Sequence, residues 1–322
     1  MITRFLIRIL WFSLPVLAAL FILEMIQRTI PNDYTHKKQL LEAHLPEWQT
    51  LVLGSSHTYL AIIPDSLDGL AFNLSATAQT LYFDHFLFEK YIDKMTSLET
   101  VILPISYPSL GAESDRNPGD FNRSYHYRLF YGSSAFTNPF SIKSYSIVNL
   151  FTIKTSVDRT ISYYTKGDSL VEFRRNGWFA TDEQKDLEKS GKDVGPYHDR
   201  FYFEELIPVN TGRIAAIIQK CKERDIDLIL ISPPMYMTYI ENTRPERYAA
   251  MTAVMDSLSA AWEVPYFDFT RDPRFEAADF FDSNHLRTQG AKKFSPMLNT
   301  KISEYKAGKT GNDKNLPWKW AW

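Results

Sequence analysis

Cysteine is almost absent. Cys221 is the only one in 322 residues, so the chain alone forms no intramolecular disulfide and assembles no cysteine-based zinc or iron–sulfur site. That thiol falls in a helical pattern, Ile214 to Arg224, with no neighbouring feature to lower its pKa, and reads as a core residue. A charge of one sign is lacking too. Thirty-six Lys and Arg face 38 Asp and Glu, a formal net charge of −2, which leaves no broad basic footprint and sets nucleic acid aside as a partner. No Gly-rich phosphate loop is present, and His36, His44, His85, His126 and His198 show no paired metal-ligand spacing, so neither a metal nor another cofactor is implied. The composition, 44 % hydrophobic and 23 % charged, supplies ample core material for a globular body.

The first thirty residues stand apart. Arg4 and Arg8 precede an apolar stretch, Ile9 to Leu23, broken only by Ser13 and Pro15. Counted from Phe5 to Ile26, the segment is long enough for a bilayer core that needs about 20 residues. The arginines predict a cytoplasmic N-terminus. After Ala18-Ala19 the chain continues Leu20-Phe21-Ile22-Leu23 without a small-residue cleavage signal, which favours an uncleaved signal anchor (1–30) over a cleaved signal peptide. A single-pass protein of the cytoplasmic membrane is expected, with everything from Pro31 onward on the extracytoplasmic, periplasmic or cell-surface side.

A polar, helix-competent connector (31–49) leads to the body. Short apolar runs at Thr50 to Gly54, Leu70 to Leu74, Thr100 to Ile105, Leu228 to Ser232 and Val264 to Phe269 read as strands. They alternate with helical patterns at Phe83 to Met95, Ile214 to Arg224, Tyr248 to Trp262 and Thr288 to Tyr305. Val101, Ile102, Leu103 and Ile105 make a run without polar alternation, as expected of a parallel strand buried on both faces. The fold class is therefore α/β: a doubly wound, mostly parallel sheet flanked by helices, in a domain spanning 50–305. Between about 108 and 210 the pattern breaks into a stretch rich in Tyr, Phe, Arg, Asn, Gly and Ser, too long for a simple connection and expected to be an insertion. Its Tyr125, Tyr127, Arg128, Phe130, Tyr131 and Trp178 either line a carbohydrate or acyl groove or form the insertion's own core. From Lys306 the tail (306–322) is polar and expected to be flexible, ending in Pro317-Trp318-Lys319-Trp320-Ala321-Trp322; the tryptophans suit a membrane interface or a docking site on the body.

Two short stretches carry candidate chemistry. Leu51-Val52-Leu53-Gly54-Ser55-Ser56-His57 stops an apolar run at a glycine and two serines, where a strand leaves its sheet; Phe280-Phe281-Asp282-Ser283-Asn284-His285-Leu286 sets Asp and His three apart near the other end. Open α/β sheets keep their chemistry at such strand ends. A serine hydroxyl needs a positioned base to attack an acyl carbon. His285 suits that role, with Asp282 fixing its tautomer and the backbone N–H of Ser56 aimed at the developing oxyanion. His57, read as part of an extended segment, would point to the opposite side from Ser56 and so serve as a packing or substrate-facing group.

These residues resemble the SGNH/GDSL hydrolases. Gly54-Ser55-Ser56 looks like the first block of that family, whose third position is the nucleophile, and Asp282-Ser283-Asn284-His285 looks like its last, Asp-x-x-His. The closer resemblance is to membrane-anchored extracytoplasmic branches, the alginate O-acetyltransferases and the D-alanyl transfer protein of teichoic-acid modification. The likeness covers Thr50 to Ser106 and Ile226 to Ser303. It implies an SGNH-like, flavodoxin-like three-layer fold, a Ser56–His285–Asp282 triad, no cofactor, and an O-acyltransferase or acyl esterase acting on an acylated glycan or acyl donor of the cell envelope, with a membrane-bound O-acyltransferase as partner. Departures are visible. Ser55 stands where the family has Asp, Phe72-Asn73-Leu74-Ser75 replaces the second block's glycine, and Ile105-Ser106-Tyr107-Pro108 replaces Gly-x-Asn-Asp. Gly54, Ser55, Asn73, Ser106 and Tyr107 are then the candidate oxyanion and substrate-binding residues, with the Asn73 amide or the Ser106 hydroxyl standing in for the missing donor. The alternative reading is a non-catalytic envelope protein of the same fold that binds glycan or the membrane partner. Geometry separates the two, since an enzyme needs the Ser56 oxygen about 2.6–3.2 Å from a ring nitrogen of His285.

Overall fold

A computed structural model describes residues 2–116, 122–168, 171–174 and 176–310. The tryptophans at 318, 320 and 322 lie outside the described residues. In chain order, α1 (Ile2–Thr29) and α2 (Asp33–Ala43) precede β1 (Thr50–Val52), α3 (Ser56–Ala61), β2 (Ala71–Asn73), α4 (Leu81–Tyr91) and β3 (Thr100–Pro104). Next come α5 (Ser124–Tyr131), α6 (Ile147–Leu150), α7 (Ile153–Lys166), the hairpin β4 (Phe173–Arg174) and β5 (Trp178–Phe179), α8 (Leu187–Arg200) and α9 (Ile207–Glu223). The chain finishes with β6 (Asp227–Ser232), α10 (Met237–Glu241), α11 (Pro245–Trp262), β7 (Tyr266–Asp268), the pair β8 (Phe280–Asp282) and β9 (His285–Leu286), and α12 (Thr288–Thr310).

The chain divides into two compact units. The larger comprises Leu40–Asn122 and Phe173–Trp322. Its centre is a five-stranded sheet in the order β2-β1-β3-β6-β7, parallel throughout, with Val52 beside Asn73 on one side and Ile102 on the other. Every residue of β1, β2 and β3 is buried, as the unbroken apolar runs require of strands covered on both faces. The order reverses between β1 and β3, and the carboxyl ends of strands beside such a switch point are where open α/β sheets place ligands. All five strands expected from the sequence are present, and Cys221 is buried on α9, where burial pushes its thiol up to about 12. A GxxxG pair on α8 was not anticipated: a Cβ on Gly191 or Gly195 would come 2.5 Å from backbone atoms of Thr238 or Asn242, so glycine is what lets α8 lie directly on α10. The tail begins later than expected. Helix α12 runs through Lys306 to Thr310, with Lys309 Nζ 2.7 Å from an Asp227 carboxylate oxygen.

The smaller unit comprises Met1–Gln39 and Arg123–Glu172. The expected insertion of about 108–210 is therefore not one body; residues 123–172 separate, while its flanks belong to the α/β unit. Helix α1 is long and apolar enough to cross a membrane. Aromatic residues make this unit's own core: Tyr34 stacks on Phe130 at 5.4 Å and meets Tyr127 edge-on at 5.8 Å. Tyr127, Phe130 and Tyr131 are buried, which assigns them to packing rather than to a groove. Trp178, in the other unit, is likewise buried and donates its indole N–H to the Leu60 carbonyl at 2.8 Å.

Candidate active site

Chain reversal at the end of β1 sets the first half of the site. Leu53 still donates to Ile102 of β3; Gly54 then turns with φ +114°, and a Cβ there would lie 2.1 Å from Pro104 Cγ and 2.6 Å from Thr58 Oγ1. Only glycine fits this combination of left-handed backbone and close approach. Ser55 caps α3 with a long, 3.5 Å contact from the His57 N–H, and Ser56 is the first residue of the helix. The turn is held from behind by Asp84 of α4, whose Oδ1 accepts from the Gly54 N–H and from Gln79 Nε2, both at 2.6 Å. Burial pushes the Asp84 carboxyl up to about 7, against the lowering effect of those two hydrogen bonds.

The second half comes from the turn between β8 and β9. Asp282 Oδ1 accepts from His285 Nδ1 at 2.8 Å and from the Asn284 N–H at 3.1 Å, and His285 Nε2 lies 2.8 Å from Ser56 Oγ. With Nδ1 donating to the carboxylate, Nε2 accepts from the serine hydroxyl. Burial works to raise the Asp282 carboxyl, but His285, the Asn284 N–H and Lys185 outweigh it and hold the group below the ordinary carboxylate range, so it is ionised at neutral pH. The turn is pinned at Ser283, whose N–H donates to Ser190 Oγ of α8 at 3.1 Å and whose carbonyl accepts from Tyr236 N–H at 2.9 Å. Ser56, Asp282 and His285, 229 residues apart at the extremes, are thus brought into one hydrogen-bonded line.

A second imidazole stands beside this line. Because Ser56 already begins α3, His57 is helical rather than extended, and the alternation argument for its direction does not apply. It is buried, its ring 5.0 Å from that of His285. Asn284 Nδ2 donates to His57 Nε2 at 2.9 Å, which leaves Nδ1 carrying the proton and donating to Ser106 Oγ at 2.8 Å. Ser106 Oγ is also 3.1 Å from Ser109 Oγ, and the Ser106 N–H donates to the latter at 2.9 Å. Burial first, then the neighbouring His285 and His198, holds His57 well below the ordinary histidine range, so it stays neutral. His198 of α8 completes the group, its Nδ1 2.7 Å from Tyr239 Oη and its pKa lowered to about 4, mainly by burial and then by His285.

Two expected binding residues are committed elsewhere. Both amide hydrogens of Asn73 go to the carbonyls of Thr58 and Ile62, at 2.9 and 3.0 Å, and its oxygen accepts from Ser75, so its side chain staples α3 to β2 and has no donor left for an oxyanion. The Tyr107 hydroxyl bonds the Asp199 carboxylate and accepts the Arg244 N–H at 3.0 Å, a structural tie between α8 and α11. Ser106 remains in the polar cluster. Sequence reasoning missed Asp84, Ser190 and His198, which act on the site across long stretches of chain; only the His57 tie has a local signal, its place next to the nucleophile. Among the described residues no group of three or more His, Cys, Asp or Glu is placed to hold a metal ion.

No family model matches this chain, and no curated protein does. Similar solved structures exist. One, from Bacteroides fragilis, is described as a "putative acylhydrolase"; it is 13 % identical with a TM-score of 0.42, covering 84 % of this chain and 95 % of its own. Another, a GDSL-like lipase from Bacteroides thetaiotaomicron, has the same identity and TM-score and covers 84 % of this chain and 99 % of its own. These two similar structures are thus described as an acylhydrolase and a GDSL-like lipase.

Proposed function

We propose that this chain is a serine-dependent acyl-transfer enzyme of the SGNH/GDSL type, anchored in the cytoplasmic membrane by α1 with its α/β unit on the extracytoplasmic side. One observation carries the reading: Asp282, His285 and Ser56 form a continuous line with both contacts at 2.8 Å, inside the range that a base and nucleophile require and against a merely binding role.

Ser56 Oγ attacks the acyl carbon while its proton passes to His285 Nε2. Asp282 stabilises the imidazolium that forms and keeps the ring oriented. The oxyanion is met by the backbone N–H of Ser56 and by the Ser106 hydroxyl, which accepts from His57 and turns its own proton to the oxyanion from Ser109 Oγ, 3.1 Å away. Collapse of the tetrahedral species expels the alcohol, which takes the proton from Nε2 and leaves an acyl-serine. Attack by a second alcohol gives transfer and attack by water gives hydrolysis, with His285 as base in either case. The resemblance supplies the substrate class, an O-acyl group of a cell-envelope polysaccharide or related glycan, and the partner, a membrane-bound O-acyltransferase. A tether favours transfer, since it raises the effective concentration of a membrane-held acyl donor.

Labelling of the purified full-length protein with a serine-reactive phosphonate, together with turnover of a chromogenic acetyl ester, tests the reading. Both reactions should occur in the wild type and vanish in Ser56→Ala and His285→Ala. Neither reaction in a folded wild type, with or without membranes containing the partner, would sink it.

A further inference from the structure

The smaller unit presents an apolar surface that the acyl-transfer chemistry does not use. On α7, Ile153, Val157, Ile161 and Tyr164 fall within an arc of about 80° at 3.6 residues per turn. They are between 39 % and 63 % exposed, while Thr155, Asp158, Ser162 and Lys166 occupy the opposite side and Lys154 borders the stripe beside Ile161. In the preceding loop Phe140 is 95 % exposed, and Ile142 and Tyr145 are exposed as well. A soluble face carries such residues singly; a contiguous stripe marks an interaction surface.

What covers the stripe follows from where α7 is fixed. Gln27 of α1 donates to the Ser156 carbonyl at 2.9 Å and to Thr160 Oγ1 at 2.8 Å, so the face of α7 adjoining the stripe lies on the end of α1. Glu24 accepts from the N–H groups of Ile147 and Val148 and from the Ser146 hydroxyl, and Arg28 donates to the Tyr145 carbonyl. Leu20 and Leu23 share that face of α1 and are partly covered, whereas most of the apolar helix is exposed. Gln27 lies four residues past Leu23, the end of the apolar run, or about 6 Å along the helix axis. That puts the attachment of α7 at headgroup height, the interfacial layer in which amphipathic helices lie. Charge agrees with the position. From Phe140 to Lys166 there are four basic residues, Lys143, Lys154, Arg159 and Lys166, against the single acidic Asp158, a balance that suits anionic phospholipid headgroups.

We propose that Phe140–Lys166 is a second membrane-contact element, in which α7 lies in the bilayer interface with its Ile153–Val157–Ile161–Tyr164 stripe in lipid and its lysines at anionic headgroups. The inference rests on the reading of α1 as an anchor. The occupant is the bilayer itself, and it gives this unit a second point of attachment beside α1, restraining its rotation about the anchor.

Depth-dependent quenching distinguishes the outcomes. Single cysteines, Ile153→Cys and Ile161→Cys on the stripe, Ser162→Cys on the polar face and Leu17→Cys in α1, are labelled with an environment-sensitive fluorophore in the full chain; Cys221 is buried and does not compete. The proteins are placed in nanodiscs of phosphatidylcholine with phosphatidylglycerol, with or without spin-labelled lipid. The stripe labels should emit to the blue of the Ser162 label, lose intensity to spin-labelled lipid and resist aqueous iodide. Stripe labels open to iodide and untouched by the lipid quencher, alongside a quenched Leu17 label, would overturn the inference while leaving the anchor intact, and would leave the stripe to a protein partner. A Leu17 label that is itself unquenched would overturn both.

Discussion

Replacing Asp84 by Asn removes a buried titration while keeping an oxygen for both donors that hold the nucleophile turn. In the folded protein the Asp84 carboxyl titrates at about 7, because burial disfavours its charge more than the Gly54 and Gln79 hydrogen bonds favour it. In the unfolded chain it titrates near 4. Between these values the folded state holds a proton that the unfolded state has lost, so stability falls as pH rises from about 4 to about 7 and is level above that. The difference corresponds to roughly 4 kcal/mol at most, and to a shift in thermal midpoint on the order of 8 °C for a chain of this size. The assay is a thermal melt of full-length wild type and Asp84→Asn in the same detergent, from pH 4.5 to 8. The amide variant should match the wild type near pH 4.5 and gain steadily on it, by several degrees, up to about pH 7.5. A difference that stays constant over this range would refute the argument, since it would mean that Asp84 titrates as an ordinary carboxylate in the fold.

Gly54→Ala should lower the thermal midpoint and abolish ester turnover together: the new methyl meets Pro104 at 2.1 Å, and left-handed backbone alone costs a non-glycine residue about 1–3 kcal/mol. An alanine variant with wild-type melting would show that the turn is looser than described. His57→Phe keeps the ring volume but strips Asn284 and Ser106 of their shared partner; at about 1–3 kcal/mol for a buried polar group left unmade, kcat should fall roughly tenfold to a hundredfold with KM little changed. Equal turnover in a folded His57→Phe protein would remove His57 from the positioning of the site.

Ser56 and the Asp282–His285 pair were legible because each sits in a short stretch where an apolar run meets small or polar residues, a break that local pattern reveals. The direction of His57 was misjudged for a reason equally local: periodicity changes from strand to helix at Gly54, and Ser55, an N-cap residue followed by a helical turn, was the available signal. Asp84 lies in the aromatic run Leu81–Tyr91, where nothing marks a carboxyl that reaches back 30 positions to Gly54. The division of the insertion was likewise hidden, although polar Glu24 and Gln27 at the end of an apolar helix are what a docked end requires. Asn73 and Ser106 make the limit plain. Asn73 ends β2 and Ser106 follows β3, the strands on either side of β1, and both carry a group able to donate to an oxyanion. Asn73 spends both hydrogens on Thr58 and Ile62, whereas Ser106 receives a hydrogen from His57, 49 positions away, and has only the Ser109 hydroxyl, at 3.1 Å, to compete for its own. Local pattern identifies which groups can donate; which of them is left with a hydrogen to give depends on partners that only the folded chain brings together.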